Sequence, residues 1–320
     1  MSFFMDGFEQ FDKSDRLAVD MRRADYTVGS NVSMAAGRAN GSRAIACSRA
    51  SVERSFAWLE PIIAVGVAVK FNGRGGTLKI GPVELIIDSE DGAPSFLGIR
   101  GGLRPIVDRW YFIEFVLDKN EATVSLFING KPDGVAPMPV ALLSSTSITV
   151  TLNPFSLPTS LIAEKPATDY ATRTYDDLYV ADGVRVQPIQ ITTRFPTEDR
   201  ETDWLTEATG NHSTILGKLP VEVLDRYIFS NEEGARDGFK SSTVFPDGAK
   251  PVALGAVGLF RKTDNVYAAI EFDVAGRTTR VDNIGSDWKY AYAYVDVADT
   301  DTTDSIVAAE FGITVRKTSA

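Results

Sequence analysis

One cysteine and one histidine are all that this 320-residue chain holds of those two residues. Cys47 has no second cysteine to pair with, so no internal disulfide can form. Cys47 and His212 together cannot supply the ligand set of a Cys/His zinc site. A cysteine nucleophile needs a histidine beside it, and only His212 is on offer. A small apolar role for Cys47 is the simpler expectation. Positive charge is also short, with 33 Lys and Arg against 43 Asp and Glu and a formal net charge of −10. Such a surface is a poor match for phosphate backbones, which argues against nucleic-acid binding. No stretch approaches the ~20 apolar residues of a membrane span. The opening MSFFMDGFEQFD has an acid at Asp6 and no basic n-region, so no Sec signal peptide is expected. Helical periodicity is scarce throughout.

What is present is β-pattern. Apolar residues make up 44% of the chain, enough for ordinary cores. At roughly 150 residues per domain the length suggests two domains. Trp110 to Asp118 is a run of apolar and β-favouring residues. After the break Lys119-Asn120-Glu121, Val124, Leu126 and Ile128 alternate with Thr123, Ser125 and Phe127. Period-2 alternation places the first set on a buried face. Asn129-Gly130 then supplies the positive-φ pair that tight turns prefer. Ile62 to Phe71, Thr77 to Asp88 around Gly81-Pro82, Ser147 to Leu152 and Tyr175 to Val180 read as further strands. Lys131 to Pro139 reads as a proline-rich loop, and residues 153–170 as a long loop. Short strands at intervals of roughly 8–12 residues with Gly/Pro turns predict β-sandwiches. A boundary is expected near Asp182 to Pro188, giving domains 1–185 and 186–320. Their formal charges are −3 and −7, the second from 14 basic and 21 acidic residues. In the second domain Val252 to Phe260, Val266 to Val274, Tyr290 to Val297 and Ser305 to Val315 read as strands. Tyr290, Tyr292 and Tyr294 form one aromatic face.

These segments carry a resemblance. Trp110 to Gly130 resembles the central hairpin of concanavalin A-like, laminin-G-like sandwiches. Asp176-Asp177-Leu178-Tyr179-Val180 resembles their closing strand. Asp6-Gly7-Phe8-Glu9 resembles the first strand of such domains in virion proteins of tailed bacteriophages. The order Phe195-Pro196-Thr197, Asp203-Trp204-Leu205-Thr206, Thr209-Gly210-Asn211-His212, Asp237-Gly238-Phe239 and the later strands is similar to the domain that follows the sandwich in phage tail and fibre proteins. The resemblance implies an all-β chain, with an N-terminal concanavalin A-like jelly roll at 1–185 and a smaller antiparallel β-sandwich assembly domain at 186–320. It implies that the first and last strands of the sandwich lie side by side. It implies a structural protein of a phage tail, baseplate or fibre, made in the host cytoplasm and ending in the virion. Partners would be other virion proteins and further copies of the chain, a trimer in a fibre. A glycan-binding adhesin contacting the host surface is the alternative. A polysaccharide depolymerase is a third reading.

The chemistry-bearing residues point in the same direction. His212 could be a general base or a structural turn residue, and the second reading fits its segment. A glycosidase needs two carboxylates at fixed separation. Glu114 stands on its strand between Phe112 and Val116, and Glu84 is similarly isolated, so no catalytic residue is assigned. Asp176 and Asp177 could approach calcium, but strand neighbours face opposite ways. A hydrogen-bonding role across strands is the alternative. The acidic run Asp299 to Asp304 could hold an ion or be a solvated loop. No metal and no cofactor is assigned. Among the tryptophans, Trp110 opens a central strand and is expected in the core. Trp204 and Trp288 lie near polar loops and are the candidates for exposed glycan stacking or for subunit packing.

Overall fold

The computed structural model describes residues 3–11, 16–72, 75–88, 91–154, 172–217, 226–241, 245, 248–263, 269–298 and 300–317. The expected long loop at 153–170 lies almost wholly outside the described residues. The chain is all-β and divides into two compact units, residues 1–192 and 193–320.

The first unit is a sandwich of two antiparallel sheets. One runs in the order Lys131–Pro137, Thr123–Ile128, Trp110–Asp118, Ile62–Asn72, Thr172–Asp182, Arg43–Ser48, Val32–Ala36. The other runs Ile99–Arg100, Pro94–Phe96, Val83–Ile87, Gly75–Ile80, Ser147–Leu152, Val52–Ala57, Thr27–Val28. The central hairpin forms as its pattern requires. Val124 and Leu126 are wholly buried, and Asn129 and Gly130 take φ of +50° and +78° between the paired residues Ile128 and Lys131. Two positive φ values in succession give the turn whose twist matches that of the strands. The Asn129 carboxamide also accepts the Phe112 N–H at 2.8 Å, fixing the hairpin's open end.

The opening strand Phe3–Asp6 pairs antiparallel with Thr172–Asp182, placing Phe3 opposite Ala181. First and last strands of the sandwich are thus neighbours, but the first strand ends at Asp6, and Gly7-Phe8-Glu9, expected within it, is a turn with Phe8 at φ of +61°. Asp6 holds this junction. Its carboxylate accepts hydrogen bonds from the Phe8 N–H, the Gln10 amide and the Tyr26 hydroxyl at 2.7–2.8 Å. Three donors offset much of the cost of burying the group.

Two segments differ from expectation. Lys131–Pro137 is a strand, not a loop. It lies at the sheet edge, where Pro132 and Pro137 need not donate to an outer neighbour. The unit boundary lies between residues 192 and 193, beyond the expected break at 185, because residues 185–191 are fastened to the first unit. Ile189 is buried there against Ala64, Ala68, Phe112, Tyr179 and Ala181.

In the second unit a five-stranded antiparallel sheet runs Glu198–Thr202, Arg236–Lys240, Phe311–Arg316, Ala269–Val274, Arg277–Val281. Two smaller pairs accompany it, Leu254–Phe260 with Lys289–Val295 and Leu205–Thr206 with Ile228–Phe229. Phe239, Phe272 and Val315 from the large sheet meet Ala291, Ala293 and Trp204 in one core. Ser305 to Val315 is not a continuous strand. Thr303–Ala308 is a short helix, and the strand begins at Phe311. Thr302 and Ser305 exchange side-chain-to-backbone hydrogen bonds as a capping box, which sets the helix start.

Candidate functional site

In the first unit two buried carboxylates on the larger sheet pair with arginines from outside it. Glu114 is fully buried at mid-strand. One of its oxygens accepts the Tyr179 hydroxyl at 2.7 Å, and the other pairs with Arg185 at 2.7 Å. The Arg185 guanidinium also lies 3.7 Å from the centre of the Phe127 ring. Tyr179 stacks on Phe112 across Gly66, where an added Cβ would fall 2.1 Å from the tyrosine ring. Both Glu114 oxygens are engaged and the carboxylate itself has no exposure, so it anchors the 185–191 segment and presents no oxygen to a substrate.

A second anchor sits at the irregularity in pairing between Asp176 and Tyr179. Asp177 has φ of +52°, which turns its side chain away from the alternation of a regular strand. Both aspartates consequently reach Arg38. The Asp176 carboxylate accepts the Arg38 N–H at 2.7 Å, and Asp177 pairs with the Arg38 guanidinium at 2.7 Å. Asp177 also accepts the Ile191 N–H at 2.6 Å, and Arg38 donates to the Ile189 carbonyl. Arg38 and Ile191 both lie outside strands, so the two aspartates fasten loops to the closing strand and do not bond across strands as the sequence suggests.

Burial, with the Asp176 charge beside it, pushes the Asp177 carboxyl up to about 7 despite the pull of Arg38. A carboxyl raised in the folded chain stabilises below its ordinary pKa, near 3.9. That contribution is lost as pH rises through the folded value. The stability carried by this group is therefore expected to fall between about pH 4 and 7, and Asp177→Asn to flatten that part of the profile. Melts of both proteins across this range check it, and parallel profiles would mean that Asp177 titrates normally.

In the second unit His212 opens the short helix His212–Leu216. Its Nδ1 is 2.5 Å from the Asp237 carboxylate, whose other oxygen accepts the Trp204 N–H at 2.9 Å. Asp199 accepts the N–H groups of His212 and Ser213, filling the role of a cap from a neighbouring strand. Burial raises the Asp237 carboxyl, with the hydrogen bonds from Trp204 and His212 opposing it. The histidine and both aspartates thus bind the helix to the sheet.

Trp204 corrects an expectation. It is 7% exposed, belongs to the core, and donates its ring N–H to the Ala235 carbonyl at 3.1 Å. No open ring face remains for stacking. Trp288 is different. It is half-buried, Tyr227 meets it edge-on with ring centres 6.2 Å apart, and Phe229 lies 6.1 Å beyond Tyr227. The Arg261 guanidinium stands 4.9 Å from the Trp288 ring centre. Phe229 is 38% exposed, and so the cluster opens to solvent. Tyr227 and Phe229 were not singled out by the sequence. Their i, i+2 spacing in an extended segment, with both rings on one face, is the signal that could have found them.

The remaining candidates occupy structural positions. Trp58 is buried under the Lys119 ammonium, and Trp110 is half-buried, not deep in the core, with Lys70 over its ring. Cys47 is fully buried, and burial pushes its thiol up to about 12, far from a reactive thiolate. Glu84 lines a shallow groove with Ser95, Leu97 and Arg100, and partial burial raises its carboxyl. Asp301 pairs with Arg277 at 2.7 Å and accepts the Ala298 N–H. Among the described residues, no group of three or more His, Cys, Asp or Glu is arranged to hold a metal ion. Among them, too, no helix is long and apolar enough to cross a membrane.

No family model matches the sequence, and no curated protein matches it. Among solved structures the chain is similar to a sialidase at 15% identity and TM-score 0.40, over 57% of this chain and 18% of the sialidase. It is similar to domain 4 of AbnA, a GH43 extracellular arabinanase from Geobacillus stearothermophilus solved with arabinotriose, at 14% identity and TM-score 0.38, over 49% of this chain and 82% of the domain. It is similar to the binding domain of botulinum neurotoxin serotype D/C at 11% identity and TM-score 0.37, over 77% of this chain and 72% of that one.

Proposed function

We propose that the chain is a non-enzymatic binding protein of a tailed-phage appendage, and that the second unit contacts glycan through Trp288, Tyr227 and Phe229. The observation that carries the glycan reading is the cluster itself, in which Tyr227 contacts both Trp288 and the exposed Phe229. Sugar rings present C–H faces that pack on aromatic faces, while tyrosine and tryptophan add a polar edge. One such site binds weakly and gains strength from repetition on a particle. The buried state of Glu114 and the structural engagement of His212 with Asp237 favour retention over cleavage. The virion setting rests on the sequence resemblance.

The test is incubation with host envelope polysaccharide, following both retention and release of reducing ends. Trp288→Ala is expected to lower retention about tenfold, the loss of one good stacking contact. Trp204→Ala is not a useful comparison, because it empties the core. Reducing ends above a heat-killed control would overturn the non-enzymatic reading, and unchanged retention in Trp288→Ala would remove the cluster from it.

Assembly with other virion proteins is the second reading, favoured by Tyr292 and Tyr294. Their half-buried rings stack at 6.4 Å along one strand face of the second unit. Such a ladder suits packing between copies, and cyclic homo-oligomers are the common outcome of self-association. A mass above one protomer in light scattering supports it, and a strict monomer at high concentration removes it.

A further inference from the structure

The second unit guards its sheet edges unevenly. Its five-stranded sheet ends in Glu198–Thr202 on one side and Arg277–Val281 on the other. Glu198, Asp199, Arg200 and Glu201 crowd the first edge with charge, and its pairing is irregular between Asp199 and Glu201. Arg277 and Arg280 stand on the second. Charges and bulges of this kind keep an open row of N–H and C=O groups from joining a strand of another chain. The Leu254–Phe260 strand has neither. It pairs with Lys289–Val295 in one unbroken register, and no described strand pairs with its other side. Residues 251–260 carry no charge, in a chain where 24% of residues are charged. Gly255 and Val257 are exposed. Gly255, Val257 and Leu259 stand opposite Tyr294, Tyr292 and Tyr290, while Leu254, Ala256 and Phe260 pack on the core. The edge is thus flat, neutral and open.

We infer that the Leu254–Phe260 strand pairs antiparallel with the same strand of a second copy of the chain, about a two-fold axis at Val257, joining two two-stranded sheets into one. This rests on the self-association reading above and names its contact as backbone pairing at an edge. The sequence complements itself in that register. Val257 meets Val257, Ala256 meets Gly258, Gly255 meets Leu259 and Leu254 meets Phe260, so the inner pairs join small to small or small to large. Each residue meets one from its own face, so the tyrosine faces of both copies lie on one side and the core faces on the other. Charge also matches. One residue past each end, Arg261 of one copy falls in a row with the partner's Ala253 and Asp296, two strand spacings of about 4.8 Å each. Arg261 and Asp296 are both exposed, and alanine leaves the path between them open. A foreign strand could add to the same edge. Agreement of size, face and charge under one two-fold operation favours the second copy, since such an interface uses the same patch twice.

The experiment follows the whole chain by light scattering over a concentration series, with Val257→Lys and Val257→Glu as variants. Wild type is expected to reach the mass of two protomers at the upper end. Each variant alone sets two like charges directly opposite on the axis, which is expected to weaken association about tenfold. An equal mixture of the two variants sets lysine against glutamate and is expected to restore it. That recovery also shows that both variants fold, because an unfolded chain regains no partner. Hydrogen exchange adds a backbone readout. The outward amides of Leu254–Phe260 are expected to gain protection as concentration rises. Association that is unchanged in both variants would overturn edge pairing and leave packing through the Tyr292 and Tyr294 face as the route. So would amides here that exchange at one rate at every concentration while the mass doubles. A mixture that recovers nothing would overturn the two-fold at Val257. A strict monomer at high concentration would sink this inference and the self-association reading together.

Discussion

Arg185→Ala is expected to destabilise the first unit by about 3–5 kcal/mol, the range for removing one partner of a buried ion pair. Glu114 has no solvent exposure, and its second oxygen has no donor other than Arg185 among the described contacts. Without the guanidinium a carboxylate stays buried with only the Tyr179 hydroxyl to satisfy it. Arg185 itself is only part-buried, so water can reach some of the site, and this moves the expectation toward the lower end. Loss of the packing on Phe127 works the other way. The effect extends along the chain. Ile189 and Ile191 are held by the same face, and freeing Arg185 removes the first of four fastenings, the others being Ile189 itself, the Asp177–Ile191 hydrogen bond and the Arg38 bond to the Ile189 carbonyl. Urea unfolding of wild type, Arg185→Ala, Glu114→Gln and the double variant would give the pair's coupling. The double variant should recover much of the loss, because a neutral amide costs less to leave half-satisfied than a charge. A single-variant cost below about 1 kcal/mol would mean that the pair is effectively solvated.

This pair shows where sequence reading stops. Glu114 looked isolated because its strand neighbours are Phe112 and Val116, yet its partners lie 65 and 71 residues away. Long-range pairing of this kind leaves no local periodicity. The central hairpin was legible for the opposite reason. Its alternation, its Asn-Gly turn and its flanking aromatics all act within some twenty residues and agree with one another. Lys131–Pro137 was not legible, because two prolines signal a loop unless the strand is known to lie at an edge. The helix at Thr303 was hidden because Ile306 and Val307 also suit a strand, and the decision lies with the Thr302 and Ser305 hydroxyls. Trp204 and Trp288 have similar polar neighbours in sequence. What separates them is the Ala235 carbonyl and the Asp237 carboxylate, 31 and 33 residues from Trp204, which draw one ring into the core.

Leu126→Ala is expected to cost about 2–5 kcal/mol, and the packing around it places it in the upper half of that range. The cost of a large-to-small change depends on how far the surroundings can close over the space left. Leu126 is wholly buried and lies opposite Phe115 on one side and Gly134 on the other. Gly134 has no side chain to move inward, and Phe96 already occupies the space beside it, 2.9 Å from where a Cβ would sit. Phe115 is held edge-on by Phe96 at 5.3 Å between ring centres. The backbone is fixed by ladders on both sides of the Thr123–Ile128 strand. The cavity therefore stays open and its lining loses contacts outright. Ser125→Ala, one residue away on the opposite face and half-buried, serves as the comparison and is expected to change stability by about 0.5 kcal/mol or less. Urea unfolding should show a lower midpoint for Leu126→Ala with an unchanged slope, the mark of altered stability rather than altered compactness. If Leu126→Ala melts like wild type while Ser125→Ala falls, the strand is shifted by one residue. Every side chain of the hairpin would then face the other way.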